Sequence, residues 1–100
     1  MGQAKLAGYQ RKHLRALAHS LKPLVQVGEA GISAAVITAA SQALEDHELI
    51  KVRLNQPEAK KDMAAELAQR TSSQLCGLLG HTVILYRRHP EHPRIEVPRR

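Results

Sequence analysis

Leu49–Leu54 reads Leu-Ile-Lys-Val-Arg-Leu, and from Ile50 onward its apolar and cationic residues alternate without a break. Alternation of period two places Ile50, Val52 and Leu54 on one face of a strand and Lys51 and Arg53 on the other. Segments whose apolar residues recur every 3.6 positions flank this run on both sides. A half-buried strand between two helices needs further strands beside it and helices above it, so the chain is expected to form a layered α+β domain.

The remaining punctuation sets the order of elements. A first helix is expected over residues 8–20, with Leu6, Gln10, Leu14, Leu17 and Leu21 along its buried side, and Pro23 stops it. Residues 24–27 form a short strand. Ser33 can cap a second helix whose stripe is Val36, Ile37, Ala40, Ala43 and Leu44. Pro57 suits the first turn of a third helix, where Glu58 and Asp62 meet its positive end and Met63, Ala64, Leu67 and Ala68 face inward. Residues 75–79 and 82–87 pair through Gly80-His81, a Gly-X loop of the type II′ kind. Gly77 marks a bulge or a close backbone approach in the first of these strands. The order is α-β-α-β-α-β-β with a four-stranded mixed sheet. Residues 1–100 form one domain, in which 89–100 is an extended tail carrying Pro90, Pro93 and Pro98.

Between the first short strand and the second helix lies Gly28-Glu29-Ala30-Gly31. Glycine at both ends permits positive φ and close approach of a ligand, and the following helix opens with unpaired N–H groups and a partial positive charge. KH-type domains clamp a nucleic-acid backbone with a G-x-x-G loop in this setting. The spacing alone is weak, because 77–80 also matches it, although with apolar middle residues inside a strand-like run.

Charge adds an independent indication. Fifteen Lys and Arg against nine Asp and Glu give a net charge of +6, with an isoelectric point near 10.0. The first helix gathers Lys12, Arg15, His19 and Lys22 on one side, with Arg11 flanking them, and carries no acid from Lys5 through Lys22. A solubilising surface normally mixes signs, so this face is expected to meet an anion, most simply nucleic acid. Lys51, Arg53, Arg87 and Arg88 extend the basic surface. Tyr9 and Tyr86 are the only aromatic residues, which argues against a stacking platform and for recognition of backbone and shape.

Other chemistries find no support. Cys76 is single, within an apolar run, and fits a buried hydrophobe in a reducing cytoplasm. The histidine pair at 89 and 92 sits among prolines with no cysteine cluster, so no metal or cofactor is expected. No nucleophile elbow, Walker loop or paired carboxylates suggest an enzyme or a small-molecule substrate. The opening residues lack a leader pattern and no run is long enough to cross a bilayer, so a cytoplasmic monomer is expected. Two rivals remain: a module docking an acidic protein partner through the basic face, and a duplex-DNA binder, for which no helix carries a base-reading set of Asn, Gln and Arg.

Four blocks, in order, resemble the CRM domain, the RNA-binding module of chloroplast splicing and ribosome maturation proteins, in its stand-alone bacterial YhbY-like form. They are Gln10-Arg11-Lys12-His13-Leu14-Arg15-Ala16-Leu17-Ala18-His19, then Leu21-Lys22-Pro23-Leu24-Val25-Gln26-Val27-Gly28 with Gly31, His47-Glu48-Leu49-Ile50-Lys51-Val52, and Gly80-His81-Thr82-Val83-Ile84-Leu85-Tyr86-Arg87. The resemblance implies a fold related to the C-terminal domain of initiation factor three and distantly to KH domains. It also implies association with precursor large ribosomal subunits, a role in their assembly, and an RNA surface made by the 28–31 loop with basic residues of the first helix and sheet. The chain departs from the family's pattern at Glu29, an acid inside the loop, at His81, where Lys is common, and at Tyr9, where a basic residue is common.

Overall fold

The computed structural model describes residues 5–55 and 57–99; the opening tetrapeptide behind the leader argument lies outside them, as do Gln56 and Arg100. Seven elements follow in the expected order: α1 (Gly8–Ala18), β1 (Val25–Val27), α2 (Ala34–His47), β2 (Leu49–Leu54), α3 (Lys60–Arg70), β3 (Gln74–Leu79) and β4 (Thr82–Tyr86). The four strands form one mixed sheet in the order β1-β2-β4-β3. β1 and β2 are parallel, as the α2 crossover requires, and β4 runs antiparallel to both β2 and β3. Among the described residues no helix is long and apolar enough to cross a membrane.

Each face of the sheet has its own core. Ile50, Val52 and Leu54 turn to the α2–α3 side, as the alternation dictates, and pack with Val25, Val27, Leu44, Leu67, Val83 and Leu85. Each such buried aliphatic side chain stabilises the fold by about 1.5–3 kcal/mol relative to an exposed one. The opposite face carries a smaller cluster in which Leu14 and Ala18 of α1 meet Leu49, Cys76, Ile84 and Tyr86. Leu6, Ile95 and Val97 close it from the chain termini.

Several local expectations need correction. α1 ends at Ala18 rather than at residue 20, and Leu17 and Leu21 are 43% and 38% exposed. Leu14, Arg15 and Ala18 rest on the sheet, after which the chain turns toward β1. α3 begins at Lys60, so Pro57 and Glu58 precede it and only Asp62 lies in its first turn. The β3–β4 loop keeps its expected chemistry: Gly80 takes φ +60, while His81 is not among the residues at positive φ.

The tail is tied down by a residue the sequence did not flag. Glu48 caps α2 at φ 64 and is 2% exposed. Its carboxylate accepts backbone N–H bonds from His89 at 2.8 Å, Arg94 at 2.6 Å and Ile95 at 3.0 Å. Gln10 adds a bond from its Nε2 to the carbonyl of Pro98 at 3.0 Å.

Candidate nucleic-acid interface

The loop 28–31 sits where β1 ends and α2 begins. Gly31 donates its N–H to the carbonyl of Gly28 at 3.0 Å, closing a turn over the exposed Glu29 and Ala30. Gly31 takes φ +72, which a side chain would resist. Gly28 is different: its φ is not in the left-handed region, and a Cβ built there meets nothing within 4 Å. Ser33 caps α2 by accepting the Val36 N–H at 3.2 Å, and no acid lies in the first helical turn. The positive end of α2 therefore points at the loop. Arg70 braces the loop from behind, donating to the carbonyl of Ile32 at 2.9 Å.

Backbone bonds knit this loop to its neighbours. Asn55 N–H donates to the Val27 carbonyl at 2.9 Å, and Leu54 N–H donates to the His81 carbonyl at 2.8 Å. The end of β1, the end of β2 and the β3–β4 turn thus form one shelf. Directly below it, register pairs Gln26 with Arg53, Arg53 with Thr82, and Thr82 with Leu79. Paired residues on neighbouring strands share a face, so these four form one row across the sheet. The row lies on the α1 side, two residues above Lys51, Ile84 and Gly77. α1 crosses that second row, and the tail closes the third at Leu49 and Tyr86. The first row is open: Gln26 and Arg53 are exposed and Leu79 is 58% exposed.

The basic residues separate into two groups. Arg53 stands in the open row, and Lys51 beneath it is half-buried with Nζ 3.3 Å from the His19 carbonyl. Lys12 and His13 are exposed on α1, His19 is exposed just past its end, and Lys22 is exposed ahead of β1. Arg11 is half-buried and donates to the Leu6 carbonyl at 2.6 Å. Arg15 turns inward over Gly77 and donates to the Cys76 carbonyl at 2.7 Å. Arg87 faces the helices on the other side, with 2.8 Å bonds to the Ser41 and Thr71 carbonyls and 3.1 Å to Ser41 Oγ. Arg88 lines a groove with Lys5, Arg94 and Pro93 beside the tail, at the end of β4 away from the loop. The guanidiniums of Arg15 and Arg87 thus serve the fold, where sequence reading placed them on an anion surface.

Neither tyrosine reaches the row. Tyr86 is buried in the smaller core, where burial and the neighbouring Glu48 carboxylate push its phenol pKa up. Tyr9 is half-buried at the start of α1. The residues sequence reasoning missed are Gln26 and Asn55, whose side chains meet across the shelf at 3.5 Å. The pairing of a lone polar residue in an apolar strand with one just after the next strand was the available signal. Among the described residues no group of three His, Cys, Asp or Glu could hold a metal ion.

Comparison with known proteins identifies the family and the fold. The chain is 41% identical over 95 residues to "Probable RNA-binding protein YqeI" of Bacillus subtilis, covering 93% of this chain and 99% of the relative. It is 33% identical over 97 residues to an "RNA-binding protein" of Haemophilus influenzae, covering 95% and 97%. The solution structure of the hypothetical protein SAV1595 from Staphylococcus aureus superposes with a TM-score of 0.82 at 38% identity, over 93% of this chain and 99% of that one. The sequence profile of the CRS1 / YhbY (CRM) domain matches residues 6–87, and this chain belongs to that family.

Proposed function

We propose that this chain is an RNA-binding protein that associates with precursor large ribosomal subunits and assists their assembly without catalysing a reaction, acting as a monomer in the cytoplasm. RNA binding is supported by the relatives named as RNA-binding proteins. The ribosomal role is supported by the four-block resemblance. One observation carries the site: the loop 28–31, exposed from Gly28 to Ala30 at the positive end of α2, adjoins an open sheet row on the face that bears α1. Gly28 adds to it. Neither backbone conformation nor crowding within the fold calls for glycine there, so the missing side chain serves whatever approaches from outside.

Phosphates would meet the loop's backbone N–H groups, Arg53 and Lys51 of the sheet, and Lys12 of α1, whereas Lys22 lies at the far end of β1 from the loop. Glu29 is exposed and can keep its carboxylate in water while the N–H groups bind. Three cations on single-stranded RNA give an expected slope of log affinity against log salt of roughly −2. Filter binding of ribosomal RNA fragments between 50 and 300 mM salt measures it, and a salt-insensitive complex would exclude a phosphate-gripping site.

A protein partner is the second reading, favoured by the exposed Leu17, Leu21 and Leu24, which open a cleft beside Lys22 at the far end of β1. Nuclease treatment of a cell extract separates the two. Co-sedimentation with ribosomal particles that survives complete RNA digestion would point to a protein anchor.

A further inference from the structure

The open row has a chemistry of its own, distinct from the cations around it. Gln26, Arg53, Thr82 and Leu79 present an amide, a guanidinium, a hydroxyl and an apolar side chain in sequence across four strands. Asn55 joins the row at its β1 end, donating from Nδ2 to Gln26 Oε1 at 3.5 Å. That bond leaves Gln26 Nε2 as a donor and Asn55 Oδ1 as an acceptor side by side. Adjacent donor and acceptor groups match the edges of nucleobases, and an arginine matches guanine or stacks on a base plane. Phosphate needs no acceptor, so the partner of Asn55 Oδ1 on RNA is a base N–H or a ribose 2′-OH.

Leu79 bears on the same point. An exposed leucine at 58% in a strand next to a charged row is out of place on a surface built only for phosphates. Beside a ribose or a base face it supplies apolar contact. Among the row and the shelf residues Asn55 and His81 there is no carboxylate.

Geometry selects the strandedness. Three interstrand gaps of about 4.8 Å make the row about 14 Å long. A row of that length has room for about two or three unpaired bases, met by side-chain polar groups because it carries no aromatic ring. α1 stands on the neighbouring row, where Arg15 covers Gly77 and Lys51 reaches the His19 carbonyl. A helix of about 10 Å diameter forms a wall along the row. A rigid A-form duplex would rest on that wall, and its deep, narrow major groove would keep base edges from the sheet floor.

We propose that Gln26, Asn55, Arg53 and Leu79 read two or three unpaired bases of single-stranded RNA while the loop 28–31 holds the adjoining backbone. This rests on the RNA-binding reading above and narrows it to a sequence-discriminating, single-strand site.

The test is fluorescence anisotropy of the full chain with labelled octamers of A, of C, of U and of alternating G and U, and with each octamer annealed to its complement, at one fixed salt. At least one single strand should bind about tenfold more tightly than the others and than its duplex. Gln26→Ala and Leu79→Ser should bring the four single strands within about threefold of one another, whereas Lys12→Ala should weaken all four by one common factor. Gln26 and Leu79 are exposed, so circular dichroism should show both variants folded. Equal binding of all single strands, equal binding of duplex, or a uniform loss in Gln26→Ala would overturn base reading while leaving RNA binding intact. No binding to any octamer or to ribosomal RNA fragments would overturn the RNA-binding reading itself.

Discussion

Arg15 lies across Gly77: a Cβ added at Gly77 would stand 2.6 Å from Arg15 Cδ and 3.1 Å from its Cγ. The glycine sits at a register irregularity of β3, and Arg15 holds the bulge by bonding the Cys76 carbonyl. The contact is with the middle of the side chain, which its own bond holds in place, so displacement is not free. Gly77→Ala should cost about 1–3 kcal/mol in urea unfolding. The same change in an Arg15→Ala background should cost clearly less, because the obstructing atoms are gone. Additive losses would mean that Gly77 is required for the strand's own conformation.

The two loop glycines should respond differently to aspartate. At Gly28 there is room and no left-handed φ, so Gly28→Asp should leave stability within about 0.5 kcal/mol. At Gly31, with φ +72, the same change should cost about 1–2 kcal/mol of strain. Both place a carboxylate near bound phosphate, worth about 1 kcal/mol in water, or roughly fivefold in affinity. Glu29→Lys should move affinity the other way. Anisotropy titrations paired with thermal melts separate these effects, and unchanged affinity in Gly28→Asp would remove the loop from the site.

Cys76 should be inert in the folded protein. Burial pushes its thiol pKa up to about 11, against the opposite pull of Arg11 and Arg15. At pH 8 about one thiol in a thousand is ionised, and the side chain is 2% exposed. Labelling by a disulfide reagent should therefore follow the rate of unfolding. Rapid labelling under native conditions would show that the α1 face of the sheet opens.

How much of this was legible in the sequence depends on the range of the interaction involved. The alternation at Leu49–Leu54 and the stripe of α2 are local, and both are found as read. The loop was legible as a loop, since two glycines before a capped helix need no distant partner. The cations were not. A guanidinium that binds a backbone carbonyl and one that awaits a phosphate are the same residue in a sequence, and only the fold sent Arg15 to Cys76 and Arg87 to Ser41 and Thr71. The helical wheel failed at Leu17 and Leu21 for a related reason: it supposes a floor under the whole face, and the sheet ends short of it.

Glu48 is another long-range case, an acid whose partners lie more than forty residues away, and it yields a pH prediction. Burial raises its carboxyl pKa, but the N–H donors of His89, Arg94 and Ile95, together with the charge of His89, lower it more, so the net position is below the ordinary value. A carboxyl whose folded pKa lies under its unfolded one adds stability above the unfolded pKa of about 4.3 and loses that contribution as pH falls through the folded value. The wild type should therefore weaken on acidification below about pH 5, and Glu48→Gln should weaken less steeply over the same range. At pH 7 Glu48→Gln should cost about 1–3 kcal/mol, because an amide N–H₂ must face a backbone N–H that the carboxylate had accepted. Proteolysis after Arg94 should quicken in the variant as the tail comes away. Urea unfolding at pH 7 and pH 4 gives the energies. Indistinguishable stability at pH 7 would assign the tail's attachment to Ile95 and Val97, packed against the smaller core, in place of the buried charge.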